Sequence, residues 1–268
     1  MQSPETGKLI IIGGAEDKKG SMIILKEFVS LAGGSNARIL IMTAATEHAA
    51  EVGGEYTRIF RELTGPDAQI ETLDIETRVD ANKPEFQKQI ENATGVFFTG
   101  GDQYRITRLL GGTKIDTALH SYFHKGLILA GTSAGASMMS SIMIINGPAE
   151  TTAKVGMTNL GAGMEFLPGV IIDQHFAQRG RINRLLAAIA QYPHHLGIGI
   201  DENTALIVEG HCFRTIGEGS VTILDAGDFG QGMSLREGGT ENLAICDIRL
   251  HLLSSGHSFD LRQRRPFF

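Results

Sequence analysis

The sequence predicts an α/β fold with a mostly parallel central sheet, because short apolar runs alternate with longer segments of helical periodicity. Four runs rich in Ile, Leu, Val and Phe are typical of strands buried on both faces: Lys8–Ile12, Ala37–Met42, Gly95–Phe98 and Gly126–Ala130. The intervening segments predict crossover helices: Met22–Leu31, Glu55–Leu63, Pro84–Ala93 and Tyr104–Leu110. This alternation predicts three layers, with helices on both faces of the sheet.

The pattern changes near residue 204, where strand-like runs follow one another without helices between them. These runs are Ala205–Val208, Cys212–Ile216, Val221–Asp225 and Leu243–Leu252. Turn residues separate them at Glu209-Gly210 and at Glu218-Gly219. We therefore expect C-terminal β-hairpins that extend the sheet or cover its edge.

The composition is that of an ordinary globular protein. The chain has 268 residues, of which 42% are hydrophobic and 20% are charged. This length lies near the upper limit for one hydrophobic core, and no Pro- or Ser-rich linker divides it, so we expect residues 1–268 to form one domain. A formal net charge of −6 without a basic tail argues against a nucleic-acid-binding protein.

Cysteine usage and the absence of long apolar segments indicate a cytoplasmic protein. Cys212 and Cys246 lie far apart in the sequence and outside any metal-ligand spacing, which argues against a disulfide framework. The first residues have no basic region followed by an apolar run, and no stretch approaches eighteen apolar residues. We expect neither a signal peptide nor a membrane span.

The strongest local motif is Gly131-Thr132-Ser133-Ala134-Gly135, which follows an apolar strand and opens a helical run. It is the G-x-S-x-G pattern in the strand–turn–helix context that a nucleophile elbow requires. The sharp turn crowds the backbone, so the two glycines relieve clashes, and the Ala134 amide points to where an oxyanion forms. The competing interpretation is a glycine-rich turn with Ser133 as a helix cap.

A second glycine-rich loop, Thr99-Gly100-Gly101-Asp102-Gln103, follows another predicted strand. Its glycines allow close approach of a ligand, so the amide of Gly101 or Asp102 is a candidate second oxyanion donor. Gln103 can offer its side-chain amide to a substrate. The alternative is a tight turn in which Asp102 caps the next helix.

A serine nucleophile needs a base and a group that orients the base. His175 is the candidate base, because a predicted strand ends at Asp173-Gln174-His175-Phe176 on the rim that carries the elbow. Another predicted strand leads into Asp201-Glu202, and either carboxylate is a candidate orienter. Arg179, Arg181 and Arg184 follow His175 and form a positive patch. Since guanidinium groups bind carboxylates through paired hydrogen bonds, this patch predicts an anionic substrate unless it lies far from Ser133.

Five sequence blocks, taken in order, resemble the cyanophycinase family of serine peptidases, which also includes the aspartyl dipeptidase peptidase E. The blocks are Ile12-Gly13-Gly14-Ala15-Glu16-Asp17, Phe98-Thr99-Gly100-Gly101-Asp102-Gln103, Gly131 to Ala136, Asp173 to Phe176 with the following arginines, and Gly199-Ile200-Asp201-Glu202. They span about residues 8 to 205. Each block is weakly informative alone, whereas the ordered set is specific.

The resemblance implies an exopeptidase that releases β-aspartyl-arginine dipeptides from cyanophycin, a poly-aspartate with arginine on each β-carboxyl. It implies Ser133, His175 and Glu202 as nucleophile, base and orienter. The expected oxyanion donors remain the amides of Gly101 and Ala134, from the two glycine-rich loops. The implied pocket consists of Gln103, Asp173, Gln174, Arg179, Arg181 and Arg184. The implied fold is that of class I glutamine amidotransferases, as a homodimer without metal or organic cofactor. In the first block, Glu16 and Asp17 either meet substrate guanidinium groups, or Asp17 caps the next helix.

Other functions fit the sequence less well. An α-aspartyl dipeptidase on the same scaffold is the nearest rival, and a ligand-binding module without catalysis is a second. A glutamine amidotransferase needs Cys where Ser133 stands, and Gly13-Gly14-Ala15 matches neither dinucleotide nor phosphate-loop motifs. His120 and His124 have the spacing of zinc ligands, but Ser121 replaces the Glu of H-E-x-x-H.

Overall fold

The structure is a computed structural model that describes residues 6–149, 152–154, 156–227 and 242–267. Its helices are α1 (Ile23–Leu31), α2 (Ala49–Thr64), α3 (Pro84–Asn92), α4 (Gln103–Leu110), α5 (Lys114–Phe123), α6 (Ala134–Ser137) and α7 (Ile182–Gln191). Its strands are β1 (Leu9–Ile12), β2 (Arg38–Met42), β3 (Gln69–Leu73), β4 (Gly95–Phe98), β5 (Ile128–Thr132), β6 (Ile142–Asn146), β7 (Asn159–Ala162), β8 (Val170–Gln174), β9 (Leu196–Ile200), β10 (Thr204–Glu209), β11 (Cys212–Gly217), β12 (Ser220–Asp225), β13 (Arg249–Ser254), β14 (Ser258–Asp260) and β15 (Arg265–Phe267).

Within the described part of the chain, the central sheet has nine strands in the order β15-β14-β11-β10-β1-β5-β4-β2-β3. Strands β1 to β5 are mutually parallel, and their residues are almost entirely buried apart from those of β3, at the edge. The C-terminal strands β10, β11, β14 and β15 continue this sheet in antiparallel fashion. The predicted α/β class with a parallel sheet and C-terminal hairpins is therefore confirmed.

Separate hydrophobic clusters cover the two faces of this sheet. On one face, α1 and α2 pack Phe28 and Phe60 against Phe97 of β4, with ring centroids 5.2 to 5.5 Å apart. The other face is covered by α3, α4 and α5 and, beside them, by a second sheet. That sheet has the order β13-β12-β9-β8, and α7 packs on its far side through Leu185 and Ile189.

The second sheet modifies the sequence-based expectation in two ways. Strands β8 and β9, which lead to His175 and Glu202, are parallel to each other but do not belong to the central sheet. The predicted strand Leu243–Leu252 is wrong in its first half, because regular β13 begins only at Arg249. Apolar runs show that a segment is buried, but they do not show which sheet it joins.

None of the helices described here is long and apolar enough to cross a membrane.

Candidate active site

Ser133 lies at the turn between β5 and α6, with a positive φ of 53° and a ψ of −107°. Such a conformation is strained for a residue with a side chain, and this turn keeps it by close backbone packing. A Cβ on Gly131 would lie 2.2 Å from the carbonyl oxygen of Gly135, and one on Gly135 would lie 2.6 Å from that of Phe98. The glycines therefore allow the turn, as the G-x-S-x-G pattern predicts.

The hydroxyl of Ser133 lies within hydrogen-bond distance of an oriented imidazole. Nε2 of His175 is 3.0 Å from Oγ of Ser133, and Nδ1 of His175 is 2.6 Å from Oε1 of Glu202. Three residues from three separate strand ends thus form one continuous chain of hydrogen bonds. This is the geometry in which a base accepts a serine proton while a carboxylate holds the base in one tautomer.

The loop after β1 holds all three segments together through consecutive backbone carbonyls. The carbonyl of Ile12 accepts the amide of Ser133 (3.0 Å), that of Gly13 accepts the amide of His175 (2.8 Å), and that of Gly14 accepts the amide of Asn203 (2.9 Å). Gly14 also packs directly on the imidazole, since a Cβ there would lie 2.4 Å from Nε2 of His175.

This positioning role of Gly13 and Gly14 was not predicted. The sequence signal was the Gly-Gly pair directly after the first strand. A glycine pair indicates close approach of something to the backbone. It does not indicate that the approaching group is the imidazole of His175.

The structure distinguishes the two adjacent carboxylates. Glu202 faces His175, and its amide donates to Oε1 of Gln178 at 3.0 Å. Asp201 is buried and faces the opposite way, where it accepts the amides of Ala177 and Ser220, both at 3.0 Å, and the Ser220 hydroxyl at 2.8 Å. Asp201 therefore joins the loop after β8 to the start of β12, whereas Glu202 contacts the imidazole.

Of the candidate oxyanion donors, the amide of Asp102 already donates to a backbone carbonyl. The amide of Asp102 donates to the carbonyl of Ala45 at 2.9 Å, and the Asp102 side chain caps α4 by accepting the amide of Tyr104 at 2.8 Å. The amides of Gly101 and Ala134 donate to no acceptor among the described residues. The loop lies beside the hydroxyl, since a Cβ on Gly100 would lie 3.5 Å from Cβ of Ser133.

The arginines after His175 divide into buried and exposed groups. Arg184 and Asp173 are buried and form a paired ion contact, in which Nε donates to Oδ2 at 2.9 Å and Nη2 donates to Oδ1. Arg181 is also buried, and its Nη1 donates to Oε1 of Gln174 at 2.9 Å. Arg179 is exposed to solvent. Asp173 and Arg184 are therefore buried and paired with each other, while Arg179 is accessible to a ligand.

The arginine cluster connects to the serine through Gln174. Oε1 of Gln174 is 3.5 Å from Oγ of Ser133, and it also accepts a hydrogen bond from Arg181. Nε of Arg181 has no partner among the described residues. Burial lowers the pKa of Arg181 to about 10, which leaves the guanidinium charged at neutral pH. Of the three arginines, Arg181 is thus linked to Ser133 through Gln174.

Gln103 lies at the start of α4, but its amide group is already engaged. Nε2 donates to the carbonyls of Ile144 at 2.9 Å and Ile145 at 2.7 Å, which holds β6 against α4. Both N–H groups are thereby used, in contrast to the expectation that they face a substrate. The remaining contact that Gln103 can offer is its carbonyl oxygen, which accepts rather than donates.

Glu16 and Asp17 have structural contacts. The carboxylate of Asp17 accepts backbone amides of Lys19, Gly20 and Met22 at 2.8 to 3.0 Å, so Asp17 closes the turn before α1. Glu16 is buried and accepts hydroxyl hydrogens from Tyr56 and Thr132. Asp17 therefore orders the turn that leads into α1, although no described side chain caps α1 itself. Glu16 contacts the elbow through Thr132, the residue before Ser133, because it accepts a hydrogen bond from the Thr132 hydroxyl.

Burial lowers the pKa of His175 below its ordinary value of 6.5, and the charges of Arg179 and Arg181 lower it further, against a raising effect of Glu202. The neutral imidazole, which accepts a proton, is thus favoured at neutral pH.

This direction predicts the acid limb of the pH–rate profile. Protonated His175 cannot accept the Ser133 proton, so kcat/KM is expected to fall with a midpoint below pH 6.5. Removing a positive neighbour by Arg179→Gln should move that midpoint upward. Arg58→Gln, on the surface of α2, is the matched control and should leave it in place. A midpoint that stays fixed in Arg179→Gln would contradict this electrostatic assignment.

Comparison with known proteins assigns this chain to a family. The profile described as peptidase family S51 matches residues 9–216, which include every residue of the hydrogen-bonded chain. This chain belongs to peptidase family S51. It is therefore an enzyme, a peptidase, and the predicted resemblance is confirmed. Serine-type chemistry is consistent with this family.

Curated relatives named cyanophycinase are similar over nearly the whole chain. The protein from Trichormus variabilis is 39% identical, with 98% of this chain and 89% of the relative covered. The protein from Geminocystis herdmanii is 36% identical, with 96% of this chain and 95% of the relative covered. Among solved structures, a peptidase from an acI-B1 actinobacterium has a TM-score of 0.69 at 19% identity over 97% and 98% of the two chains, a likeness of fold. A putative peptidase E protein from Listeria monocytogenes has a TM-score of 0.56 at 14% identity, over 80% and 99%.

Proposed function

We propose that this chain is a serine exopeptidase that hydrolyses cyanophycin to β-aspartyl-arginine dipeptides. The observation that carries the proposal is the hydrogen-bonded chain from Ser133 through His175 to Glu202, beside an arginine cluster. The relatives that share 36 to 39% of its sequence are named cyanophycinase. A cytoplasmic location and a homodimer, the first expected from the sequence and the second implied by the resemblance, belong to the same proposal.

The first half of the reaction forms an acyl-enzyme. Oγ of Ser133 attacks the backbone carbonyl of an aspartyl unit as its proton passes to Nε2 of His175. The amides of Gly101 and Ala134 stabilise the oxyanion, a contribution of about 3 kcal/mol per donor. The C–N bond then breaks, and His175 returns the proton to the leaving amine.

The second half hydrolyses the ester on Ser133. Water attacks the ester carbonyl while His175 takes one of its protons, and the same two amides stabilise the second oxyanion. The C–O bond to Ser133 breaks, its oxygen regains the proton from His175, and a carboxylic acid leaves. Glu202 keeps Nδ1 of His175 protonated through both halves.

Charges around Ser133 fit a substrate that carries both carboxylate and guanidinium groups. Arg179 and Arg181 provide guanidinium groups, and Asp173 and Gln174 hold Arg181 in place. An open acidic groove that includes Glu202 is lined by Ala15, Asp17, Gln178, Glu202, Asn203, Glu218 and Gly219. In this proposal, the arginines bind a substrate carboxylate and the acidic groove receives the substrate guanidinium.

The test is incubation of the purified protein with cyanophycin granules, followed by mass spectrometry of the soluble products. We expect release of β-aspartyl-arginine and no free arginine, because cleavage occurs at the aspartyl backbone. An α-aspartyl dipeptide is assayed in parallel. Hydrolysis of that dipeptide with intact granules would favour the dipeptidase function instead, and inactivity on both substrates would favour a binding module.

A further inference from the structure

A second group of chemically reactive side chains lies in the antiparallel part of the central sheet, away from the elbow. His211 and Cys212 are at the turn between β10 and β11, and Asp260 is the last residue of β14. One ligand atom from each, a ring nitrogen, a thiol sulfur and a carboxylate oxygen, lies within 4.8 Å of both others. The proposed peptidase mechanism uses none of these residues.

We propose that His211, Cys212 and Asp260 form a binding site for a thiophilic divalent cation, with Zn²⁺ as the preferred ion. A set of one imidazole, one thiolate and one carboxylate suits zinc and excludes magnesium and calcium, which prefer oxygen ligands. In tetrahedral zinc sites, neighbouring ligand atoms are about 3.3 to 3.8 Å apart. Nε2 of His211 is already 3.6 Å from Oδ2 of Asp260.

The backbone holds the three side chains in this arrangement. Cys212 and Asp260 are directly opposite each other in the β11–β14 ladder, so their side chains leave the sheet on the same face. The carbonyl of His211 accepts the amide of Leu261 at 2.9 Å, which fixes the turn against the segment after β14.

The carboxylate of Asp260 is oriented by its own backbone contacts. Its Oδ1 accepts the amides of Arg262 at 2.8 Å and Gln263 at 2.7 Å, so Oδ2 is the oxygen directed at His211. Hydrogen bonds of this kind to a ligating carboxylate are the usual support of metal sites. Arg265 lines the same groove as Cys212 and Asp260, and its positive charge opposes cation binding. We therefore expect weaker affinity than that of a closed structural site with four protein ligands.

Binding requires no redox partner. The thiol proton of Cys212 is released to solvent as the metal–sulfur bond forms, and a water completes the coordination. The site lies at the far end of β10 from Glu202, because Leu9 pairs with Val208 whereas Ile12 pairs with Ala205 near the elbow. The six residues of β10 place the two sites roughly 20 Å apart. Cation binding is thus expected to stabilise the C-terminal hairpins rather than to take part in hydrolysis.

The test uses cobalt as a spectroscopic probe for zinc. Untagged, metal-free protein is titrated with CoCl₂ under argon in the presence of a phosphine reductant, and near-ultraviolet thiolate-to-cobalt absorption is recorded. We expect one equivalent of cobalt to produce the band, ZnCl₂ to abolish it, and MgCl₂ to leave it unchanged. His211→Asn should weaken cobalt binding by at least about tenfold.

Cys246 is the matched control, since it is the other cysteine of the chain and is exposed. Cys246→Ser should keep the band and the rise in melting temperature with zinc, whereas Cys212→Ser should lose both. Cys212→Ser should retain wild-type hydrolysis, which shows that it is folded. A wild-type protein without the sulfur band, or a band that persists in Cys212→Ser, would overturn the proposal.

Discussion

Ser133→Ala is expected to lower kcat/KM for cyanophycin by roughly 10⁴- to 10⁶-fold, because the acyl-enzyme route then has no nucleophile. Alanine keeps a Cβ at the same strained φ of 53°, so the backbone conformation of the elbow carries no new cost. The free energy of unfolding should therefore change by less than about 1 kcal/mol. The measurements are steady-state kinetics and urea unfolding of the same preparations.

Ser141→Ala is the control for this variant. Ser141 is a half-buried residue in the segment between α6 and β6, and it has no role in the proposed mechanism. It should hydrolyse substrate at the wild-type rate. If Ser133→Ala kept more than about a hundredth of the wild-type activity, Ser133 would not be the nucleophile.

Glu202→Gln is expected to lower kcat by about 10²- to 10⁴-fold with little effect on stability. The neutral amide no longer stabilises the imidazolium that forms on His175, and it can hold the ring in the wrong tautomer. The lower end of the range reflects the 35% exposure of the Glu202 side chain, which lets water replace part of its contribution. The measurement is single-turnover hydrolysis at saturating substrate.

Asp201→Asn provides the matched comparison at the adjacent residue. Because Asp201 accepts three hydrogen bonds in a buried position, replacement of one oxygen by a donor should cost about 1 to 3 kcal/mol of unfolding free energy. Its kcat, measured well below the melting temperature, should fall far less than that of Glu202→Gln. The reverse pattern, with kcat lost in Asp201→Asn and kept in Glu202→Gln, would exchange the roles assigned to the two carboxylates.

Local chemistry explains why the elbow was predictable. Gly131 and Gly135 act within a few residues of Ser133, and the clashes that they avoid involve the turn itself or the neighbouring strand β4. The parallel strands were predictable for a similar reason, since burial on both faces leaves uninterrupted apolar runs. Constraints of this kind act over short sequence distances, so a run of consecutive residues is enough to predict them.

Contacts over long sequence distances were not predictable from pattern. Asp201 and Glu202 are chemically similar neighbours, and only the packing of β9 against β12 turns the first carboxylate toward Ser220. The residue pattern likewise did not show that the amide of Asp102 donates to Ala45, or that the amide of Gln103 binds the β6 carbonyls. Each of these hydrogen bonds is made with a partner that lies many residues away in the sequence.

Residue patterns alone were enough to predict the parallel core, the sharp serine turn and, through the ordered motifs, the family, which is peptidase family S51. Folding fixes which carboxylate contacts His175, which loop amides have no acceptor among the described residues, and which arginine pairs with Asp173 in the interior. It also brought Asp260 to Cys212 across the β11–β14 ladder. The physical reason is that hydrogen-bonding groups are satisfied by whatever the packed strands place beside them, and a chain specifies those neighbours only when it is folded.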